Sequence, residues 1–146
     1  MKRVLITGKA SYIGSHFRDY LKEFPNDYYV EELDVRDDSW KQFDFSKFDV
    51  VYHVAGIAHI KETKENASLY YKVNRDLAVE IAKLSKSYGV KHFIFMSSMS
   101  VYGFIYSNDL ITVNTKTNPN TNYGKSKLQA ENEILKLADD TFKVSV

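Results

Sequence analysis

A phenol and an ammonium group lie four residues apart near the end of the chain, in the run Tyr123-Gly124-Lys125-Ser126-Lys127. At the start of a helix, this spacing places Tyr123 and Lys127 on one face. Free tyrosine, with a pKa of roughly 10, is a poor base at neutral pH, but a fixed positive charge nearby stabilises a phenolate. The pair therefore has the composition of a general acid–base catalyst. Its alternative is an ordinary exposed helix face.

Two serines, Ser97 and Ser98, directly follow an apolar run at 90–96 that is typical of a buried strand. Ligands bind at the carboxyl ends of parallel strands, so a hydroxyl at this position can reach a substrate. We expect Ser98 to hydrogen-bond a substrate oxygen and to share its proton with Tyr123. The alternative is a serine that caps a turn.

A glycine turn, Gly8-x-x-Ser11-x-x-Gly14, joins the apolar run 4–6 to a segment with helical spacing. A strand, a tight turn and a helix start form half of a phosphate site, because free backbone N–H groups and the helix dipole both favour an anion there. Ser11 stands where a third glycine is expected. Its Cβ opposes a close approach of the pyrophosphate, although its hydroxyl could itself bind phosphate. The alternative is a simple strand-to-helix turn.

Asp34 ends the second predicted strand. In dinucleotide-binding folds, an acid about 20 residues after the glycine turn binds the ribose hydroxyls of the adenosine, and Asp34 lies near that position. Such an acid repels a 2′-phosphate and so selects NAD. Lys9, a cation within the turn, would instead attract that phosphate, so NADP stays open. The alternative for Asp34 is a surface acid in a turn.

These residues need a scaffold in which strands alternate with helices. The strand patterns lie at 4–6, 28–35, 49–55, 90–96 and 142–146, and the helical patterns at 13–24, 38–48, 66–88 and 123–138. In the longest helix, apolar residues recur three or four apart, at Leu69, Val73, Leu77, Ile81 and Leu84. The alternation predicts βαβ units and an α/β fold, a doubly wound parallel sheet with helices on both faces.

Length and composition fit one folded domain and exclude several classes of protein. The chain has 146 residues, of which 44% are hydrophobic and 27% charged, with a net charge of +1. This balance excludes a disordered segment, and the lack of a long basic run argues against nucleic acid as a partner. Cysteine is absent, and no apolar segment approaches the ~20 residues that span a bilayer. We expect a soluble, cytoplasmic protein with no membrane partner and no metal site.

Together these stretches resemble the extended short-chain dehydrogenase/reductase superfamily, and within it the NAD-dependent branch of nucleotide-sugar epimerases and dehydratases. The matching stretches are Thr7-Gly8…Gly14, His53-Val54-Ala55-Gly56, Val73-Asn74, Gly89-Val90-Lys91, Ser97-Ser98-x-x-Val101-Tyr102-Gly103 and Tyr123-Gly124-x-Ser126-Lys127. They occur in the family's order and cover nearly all of the chain. Each is weak alone, and the six in register are highly specific.

The resemblance implies a role for each matching residue. The residues implied to bind the NAD cofactor are Gly8, Ser11, Tyr12, Ile13, Gly14, Asp34, Ala55, Gly56, Asn74, Tyr123 and Lys127, with Asp37 competing for a place near the adenine. Ser98, Tyr123 and Lys127 are implied to be the catalytic set. In such enzymes the tyrosine removes a hydroxyl proton from the sugar while a hydride passes to the nicotinamide. Lys127 would also bind the nicotinamide ribose.

Two departures from the family's pattern change what is expected. The region between Gly8 and Gly56 is shorter than is usual in the family, as if one strand and one helix were missing. Residues 30–37 would then take the place of two strands that each end in acidic residues. The chain also stops within a strand pattern, whereas the family continues into a smaller domain that binds the nucleotide-sugar. We therefore expect residues 1–146 to be a Rossmann-like NAD(P)-binding domain that ends after its sixth strand, comes from a longer protein and is inactive alone.

The leading hypothesis is the NAD-binding part of a nucleotide-sugar epimerase or dehydratase. One alternative is a non-catalytic dinucleotide-sensing module, which would have no need of Tyr123 and Lys127. Others are a dTDP-sugar-type reductase and a flavodoxin-like or other doubly wound domain; the Ser98, Tyr123 and Lys127 set argues against the last. Family enzymes often form homodimers through the tyrosine-bearing helix, where Leu128 and Ile134 face either a partner or the sheet.

Overall fold

Five parallel strands form the sheet in the computed structural model, which describes residues 1–58, 60–103 and 110–146. The strands are β1 (Lys2–Thr7), β2 (Tyr28–Leu33), β3 (Val50–His53), β4 (His92–Phe95) and β5 (Lys143–Ser145). Their order across the sheet is β2-β1-β3-β4-β5, and every neighbouring pair is parallel. The strand order reverses between β1 and β3, and the crevice at the carboxyl ends of these two strands is where such sheets bind ligands.

Helices cover both faces of this sheet. They are α1 (Tyr12–Lys22), α2 (Ala67–Tyr70), α3 (Ala78–Ser87) and α4 (Asn122–Leu135), and a π-helical stretch (Tyr71–Leu77) joins α2 to α3. Successive side chains of a strand point to opposite faces. Accordingly, Leu5 belongs to one core with Ile81 and Ile134 of α3 and α4, whereas its neighbour Ile6 belongs to another with Leu21 of α1. The predicted α/β fold, a doubly wound parallel sheet with helices on both faces, is confirmed.

The crossover from β2 to β3 consists of two short 3₁₀ turns, Asp38–Gln42 and Phe45–Lys47. Each turn begins at an aspartate cap, and each buries an aromatic side chain, Trp40 in the first and Phe45 in the second. Trp40 and Phe45 are only five residues apart, and the segment between β2 and β3 is too short to contain a further strand and helix. The expectation of a sixth strand is therefore wrong: the described residues form a sheet of five.

The long helix at 67–87 buries the C-terminal part of the predicted stripe, where Ile81 is fully buried, but not its start. Tyr70 and Asn74 are buried, whereas Leu69 of the predicted stripe is 40% exposed. The cause is the π-helical stretch Tyr71–Leu77, whose wider turns rotate the side chains less per residue than an α-helix does. The buried face therefore includes a polar residue, Asn74. Such π-helical turns occur frequently at functional sites.

Helix α4 packs on the sheet through Ile134, which is fully buried. Ile134 therefore faces the sheet and not a partner subunit. Leu128 is half-buried. The outer face of the helix carries exposed side chains, among them Lys125, Gln129 and Leu135. A homodimer through this helix stays a prediction.

His53 lies at the end of β3 and is fully buried. Its Nδ1 is 2.7 Å from the hydroxyl oxygen of Thr7, and its ring stacks with those of Phe93 and Phe95. Burial, together with the positive charge of Lys127, lowers the pKa of His53 from 6.5 to about 3. Between these two pH values the imidazole is neutral in the folded protein but protonated in the unfolded chain.

We expect the free energy of unfolding to fall as the pH is lowered through 6.5, because the unfolded chain then binds a proton at His53 that the folded protein does not. The contribution of His53 to this slope approaches about 1.4 kcal/mol per pH unit. Urea denaturation between about pH 7 and pH 5, above the range in which carboxylates titrate, measures it. In His53→Gln the slope should flatten, while His92, whose pKa burial also lowers, contributes equally to both proteins. An unchanged slope in the variant would contradict this expectation.

Candidate active site

The glycine turn between β1 and α1 packs against the end of β3. Gly8 has a φ of +112°, in the left-handed region that other residues rarely adopt. A Cβ at Gly8 would lie 2.8 Å from the backbone nitrogen of Ala55 and 3.0 Å from its Cα. Glycine is therefore required at this position both by the turn and by the contact with Ala55, whose N–H donates to the carbonyl of Thr7.

Helix α1 begins directly after this turn, with its N-terminus at the carboxyl edge of the sheet. Ser11 is the N-cap, and its hydroxyl oxygen accepts a hydrogen bond from the N–H of Gly14 at 3.2 Å. The serine at the position of a third glycine thus already stabilises the helix start. Tyr12 and Ile13 follow it and are exposed, so an anionic ligand can reach the first turn of the helix.

Asn74 points from the π-helical stretch toward the end of β3 and binds protein groups there. Its Oδ1 accepts the N–H of Ile57 at 2.8 Å, and its Nδ2 donates to the carbonyl of Ile57 at 3.0 Å. The same Nδ2 lies 3.3 Å from the hydroxyl oxygen of Ser126 in α4. Asn74 therefore fixes the backbone next to Gly56 and ties that segment to α4.

A cleft of about 790 Å³ lies between the residues that follow β2 and the π-helical stretch. Arg36 and Asp37 line one side of it, and Ala55 and Gly56 line another. Asp37 also caps the following 3₁₀ turn with its carboxylate. The cleft is thus bounded by the residues that follow β2 and β3, and of the two predicted adenosine-binding acids Asp37 lines it whereas Asp34 lies next to a lining residue, Val35.

Asp34 follows β2 directly, but its carboxylate is already paired. The Nε of Arg36 donates to Oδ1 of Asp34 at 2.9 Å, its Nη2 donates to Oδ2, and its backbone N–H donates to Oδ1 at 3.0 Å. These hydrogen bonds lower the pKa of Asp34 to about 2, and the charge of Lys9 acts in the same direction. A ribose bound at Asp34 would therefore share the carboxylate with an exposed arginine.

Ser98, Tyr123 and Lys127 line a single cleft of about 470 Å³. Ile13 from the start of α1 and Gly56 from the end of β3 line the same cleft. The structure thus brings the three residues of the predicted catalytic set together beside the glycine turn, although they come from distant parts of the sequence.

Lys127 is almost fully buried, with 4% of its surface exposed. Its Nζ donates to the carbonyl of Met96 at 2.5 Å and lies 4.2 Å from the ring centroid of Phe95. Burial lowers the pKa of Lys127 to about 8, and the carboxylate of Glu131 opposes this shift. The ammonium group is therefore charged at neutral pH and is fixed against the end of β4.

Ser98 caps the 3₁₀ turn Met99–Tyr102, and its hydroxyl oxygen accepts the N–H of Ser100 at 3.2 Å. A hydroxyl that accepts one hydrogen bond still has its own proton to donate. Its neighbour Ser97 donates to the carboxylate of Glu131. Ser98 can therefore cap a turn and bind a ligand in the cleft at the same time.

Helix α4 starts in close contact with the segment that carries Ser98. A Cβ at Gly124 would lie only 2.4 Å from the carbonyl oxygen of Ser100 and 3.0 Å from the Cβ of Pro119. Gly124 is also buried. The glycine beside Tyr123 thus permits the approach that places Tyr123 and Ser98 in one cleft.

The sequence prediction missed two charged residues near these clefts, although signals for both were present. Arg36 lies two residues after Asp34, a spacing at which side chains can pair within a turn. Glu131 lies four residues after Lys127, the spacing that brings opposite charges together on a helix. The carbonyl of Met96, which Lys127 binds, had no signal because every residue carries such a group.

Among residues 1–58, 60–103 and 110–146, no group of three or more His, Asp or Glu side chains is arranged to hold a metal ion. In the same part of the chain, no helix combines the length and the apolar character that crossing a membrane requires.

Known proteins match this chain in sequence over almost its whole length. The model of the NAD dependent epimerase/dehydratase family matches residues 4–146. The UDP-glucose 4-epimerase of Mus musculus is 30% identical in a match that covers 92% of this chain and 48% of that protein. The UDP-glucose 4-epimerase of Vibrio cholerae is 30% identical in a match that covers 96% of this chain and 48% of that protein. The chain thus spans about half the length of the curated relatives it matches.

Solved structures share the fold. MoeE5 in complex with UDP-glucose and NAD has a TM-score of 0.80 at 23% identity, covering 99% of this chain and 52% of that one. RMD from Pseudomonas aeruginosa, complexed with NADPH, has a TM-score of 0.81 at 23% identity, covering 98% of this chain and 52% of that one.

The range matched by the family model contains the glycine turn, both clefts and all but the first two residues of the parallel sheet. The family is NAD-dependent, in agreement with the predicted cofactor. The resemblance inferred from the short stretches is thereby confirmed, and the chain belongs to the NAD-dependent epimerase/dehydratase family.

Proposed function

We propose that this chain provides the NAD-binding and catalytic part of a nucleotide-sugar epimerase or dehydratase. The observation that carries the proposal is the cleft in which Ser98, Tyr123 and Lys127 meet beside Gly56 and the start of α1. A proton-transfer group next to a dinucleotide-binding turn suits the oxidation of a sugar hydroxyl. Two curated relatives are UDP-glucose 4-epimerases, which supports a nucleotide-sugar as the substrate.

The cradle around the glycine turn fits a dinucleotide. We assign the pyrophosphate to the turn and the first turn of α1, formed by Gly8, Ser11, Tyr12, Ile13 and Gly14, because helix N-termini favour anions. We assign the adenosine half to the cleft of about 790 Å³, with its ribose near Asp34 and its adenine near Asp37. The nicotinamide half then passes Ala55 and Gly56 toward Lys127. Asn74 acts in this assignment by holding Gly56 in place.

The residues of the smaller cleft divide the work of the reaction. The hydride that leaves the sugar carbon would be accepted by the nicotinamide of a bound NAD, which is the chemistry that this cofactor would supply. Acting as a phenolate, Tyr123 would accept the proton of the hydroxyl on that carbon and become a phenol, so that the sugar is left with a carbonyl group. Ser98 hydrogen-bonds the same sugar oxygen, and Lys127 supplies a fixed positive charge beside the reacting atoms.

A second candidate, an NADPH-dependent sugar reductase, is favoured by one observation. Arg36 is exposed beside Asp34, and the charge of Lys9 also acts on that carboxylate. Two cations near the adenosine ribose suit a 2′-phosphate, which Asp34 alone would repel. The choice between the two candidates is therefore a choice of dinucleotide.

Binding and turnover separate the candidates. We expect this chain to bind NADH more tightly than NADPH in calorimetry, and the full-length protein that carries it to convert at least one UDP-sugar with NAD, followed by NMR of the sugar. Because the chain spans about half of its relatives, we expect the 146 residues alone to bind without turnover. Tighter binding of NADPH would favour the reductase. Dinucleotide binding without turnover by the full-length protein would favour a dinucleotide-sensing module.

Lys127 should set an alkaline limit on this turnover. Its pKa of about 8 means that the ammonium group, intact at neutral pH, is lost as the pH rises through that value. We expect kcat/KM to fall above it by about tenfold per pH unit, since the neutral amine carries no charge to the reacting atoms. Initial rates across the alkaline range measure this limit.

Two variants identify the group that titrates. In Lys127→Arg the fall should move to higher pH, because the guanidinium group stays charged. In Lys125→Met, which alters an exposed lysine two residues away, the fall should stay where it was. A profile of the unaltered protein that is flat far above pH 8 would remove Lys127 from this role.

A further inference from the structure

Glu62, in the segment between β3 and α2, binds the start of α4. Its Oε2 accepts the backbone N–H of Asn122 at 2.9 Å, and its Oε1 accepts the backbone N–H of Tyr123 at 2.9 Å. One carboxylate thus engages two consecutive N–H groups, each through its own oxygen. Hydrogen bonds to a charged acceptor are stronger than neutral ones, and a two-oxygen contact fixes orientation as well as distance.

The local cap of the same helix completes this arrangement. The hydroxyl oxygen of Thr121 accepts the N–H of Gly124 at 3.0 Å. The first N–H groups of a helix have no acceptor within the helix. In α4 the first three of them are all bound by side chains. The negative charge of Glu62 also interacts favourably with the helix dipole. Thr121 belongs to the helix start itself, whereas Glu62 joins it to a segment 60 residues away.

A second contact joins that segment to the ring of Tyr123. Tyr70 is buried, and its hydroxyl donates to the carbonyl of Ile60 at 2.5 Å. Its ring lies edge-on to that of Tyr123, with 6.5 Å between the centroids. Burial, together with the charge of Glu62, raises the pKa of Tyr70, so that its hydroxyl keeps the proton it donates. The segment thus contacts both the backbone and, through Tyr70, the ring of Tyr123.

The other end of the segment lies at the cleft. Gly56 lines it, and Asn74 holds the next residue, Ile57, by both backbone groups. The distance along the chain from Gly56 to Glu62 is short, and the segment is held at Ile57, Ile60 and Glu62. The position of α4 is therefore linked to the backbone that borders the proposed nicotinamide site.

We propose that Glu62 is a positioning residue, which holds the backbone of Asn122 and Tyr123 so that the phenol faces Ser98 and the cleft. The inference rests on the proposed function, in which Tyr123 accepts the proton. A local cap such as Thr121 stabilises the helix without determining where its start lies in the fold. The contact from Glu62 does determine it, and misplacing a reacting group by about 1 Å can cost a hundredfold in rate.

Hydrogen exchange tests the contact itself. In Glu62→Ala, the amides of Asn122 and Tyr123 should exchange at least about tenfold faster, because their acceptors are gone. The amides near Ile134, at the far end of α4, should exchange as before. Glu62→Gln keeps one acceptor oxygen and should give a smaller increase. Glu65→Gln alters an exposed acid of the same segment and is the matched control, with exchange unchanged.

Kinetics test the positioning role on the full-length protein. We expect kcat for a UDP-sugar to fall at least about tenfold in Glu62→Ala and less in Glu62→Gln, with KM and the Kd of NAD within about twofold of the unaltered protein. Glu65→Gln should leave all three constants unchanged. A residue that only stabilises the fold would leave kcat per folded molecule unchanged and would speed exchange along the whole of α4.

Faster exchange confined to Asn122 and Tyr123, together with a loss in kcat at constant KM, would support the proposal. Unchanged exchange in Glu62→Ala would overturn it, and so would an unchanged kcat. If the unaltered protein converts no UDP-sugar while exchange changes as expected, the proposed function fails and the positioning role fails with it. The lack of turnover is seen in the unaltered protein, so failure of the proposed function is distinguishable from failure of the positioning role alone.

Discussion

Tyr123→Phe should lower kcat for a UDP-sugar by about 10³-fold, because the substitution removes the oxygen that accepts the sugar proton. The ring stays, so its edge-on contact with Tyr70 and its place in the cleft are retained. KM and the affinity for NAD should therefore stay within about threefold. Initial rates of the full-length protein at saturating NAD, with calorimetry for the dinucleotide, measure both quantities.

Tyr20→Phe is the matched control, since it removes the hydroxyl of an exposed tyrosine on α1. It should leave kcat unchanged, and thermal unfolding should show both variants folded. If Tyr123→Phe keeps a kcat within about threefold of the unaltered protein, Tyr123 is not the proton acceptor and the proposed division of the reaction falls.

Gly124→Ala should damage both the fold and the reaction. The added Cβ would lie 2.4 Å from the carbonyl oxygen of Ser100, so α4 and the segment after β4 must move apart. Overpacking of this kind costs about 1–3 kcal/mol in the free energy of unfolding. The same movement separates Tyr123 from Ser98, and we expect kcat to fall by about 10²-fold. Urea denaturation and initial rates measure the two effects.

Lys125→Ala is the matched control, because it also introduces an alanine into the first turn of α4, at the position after Gly124. Lys125 is exposed, so its replacement should change the free energy of unfolding by less than about 0.5 kcal/mol and leave kcat unaltered. A Gly124→Ala protein as stable as the control would show that α4 is not pressed against Ser100 as the structure describes.

The glycine turn, the serines after β4 and the Tyr123–Lys127 pair could be located from the sequence because each depends on local spacing. Residues four apart share a helix face, and residues that follow parallel strands meet at one edge of the sheet. The structure brings the serines and the Tyr123–Lys127 pair to one cleft, which Ile13 at the start of the helix after the glycine turn also lines. Their chemical roles stay predictions that the substitutions above test.

Which group each polar side chain binds was not predictable in the same way. Asp34 was expected to meet a ribose, and the structure pairs it with Arg36. Asn74 was expected beside the cofactor, and its amide binds the backbone of Ile57. Glu62 gave no signal at all, because its partners are backbone N–H groups, which nearly every residue carries. Which of these groups a side chain meets is decided only when the whole fold has formed.

The π-helical stretch adds a residue to the long helix without changing the direction in which the later side chains point. In an α-helix, eight residues turn through about 800°, which would leave Ala78 about 80° around the axis from Tyr70. Seven residues would turn through about 700°, only about 20° short of two full turns. The side chains of Tyr70 and Ala78 are both buried. The π-helical stretch thus acts as one inserted residue that lengthens the helix but leaves its two ends facing the same side. The inserted residue lies in the stretch that carries Asn74, so it enlarges the helix at the point where Asn74 fixes the backbone of Ile57 beside the cleft.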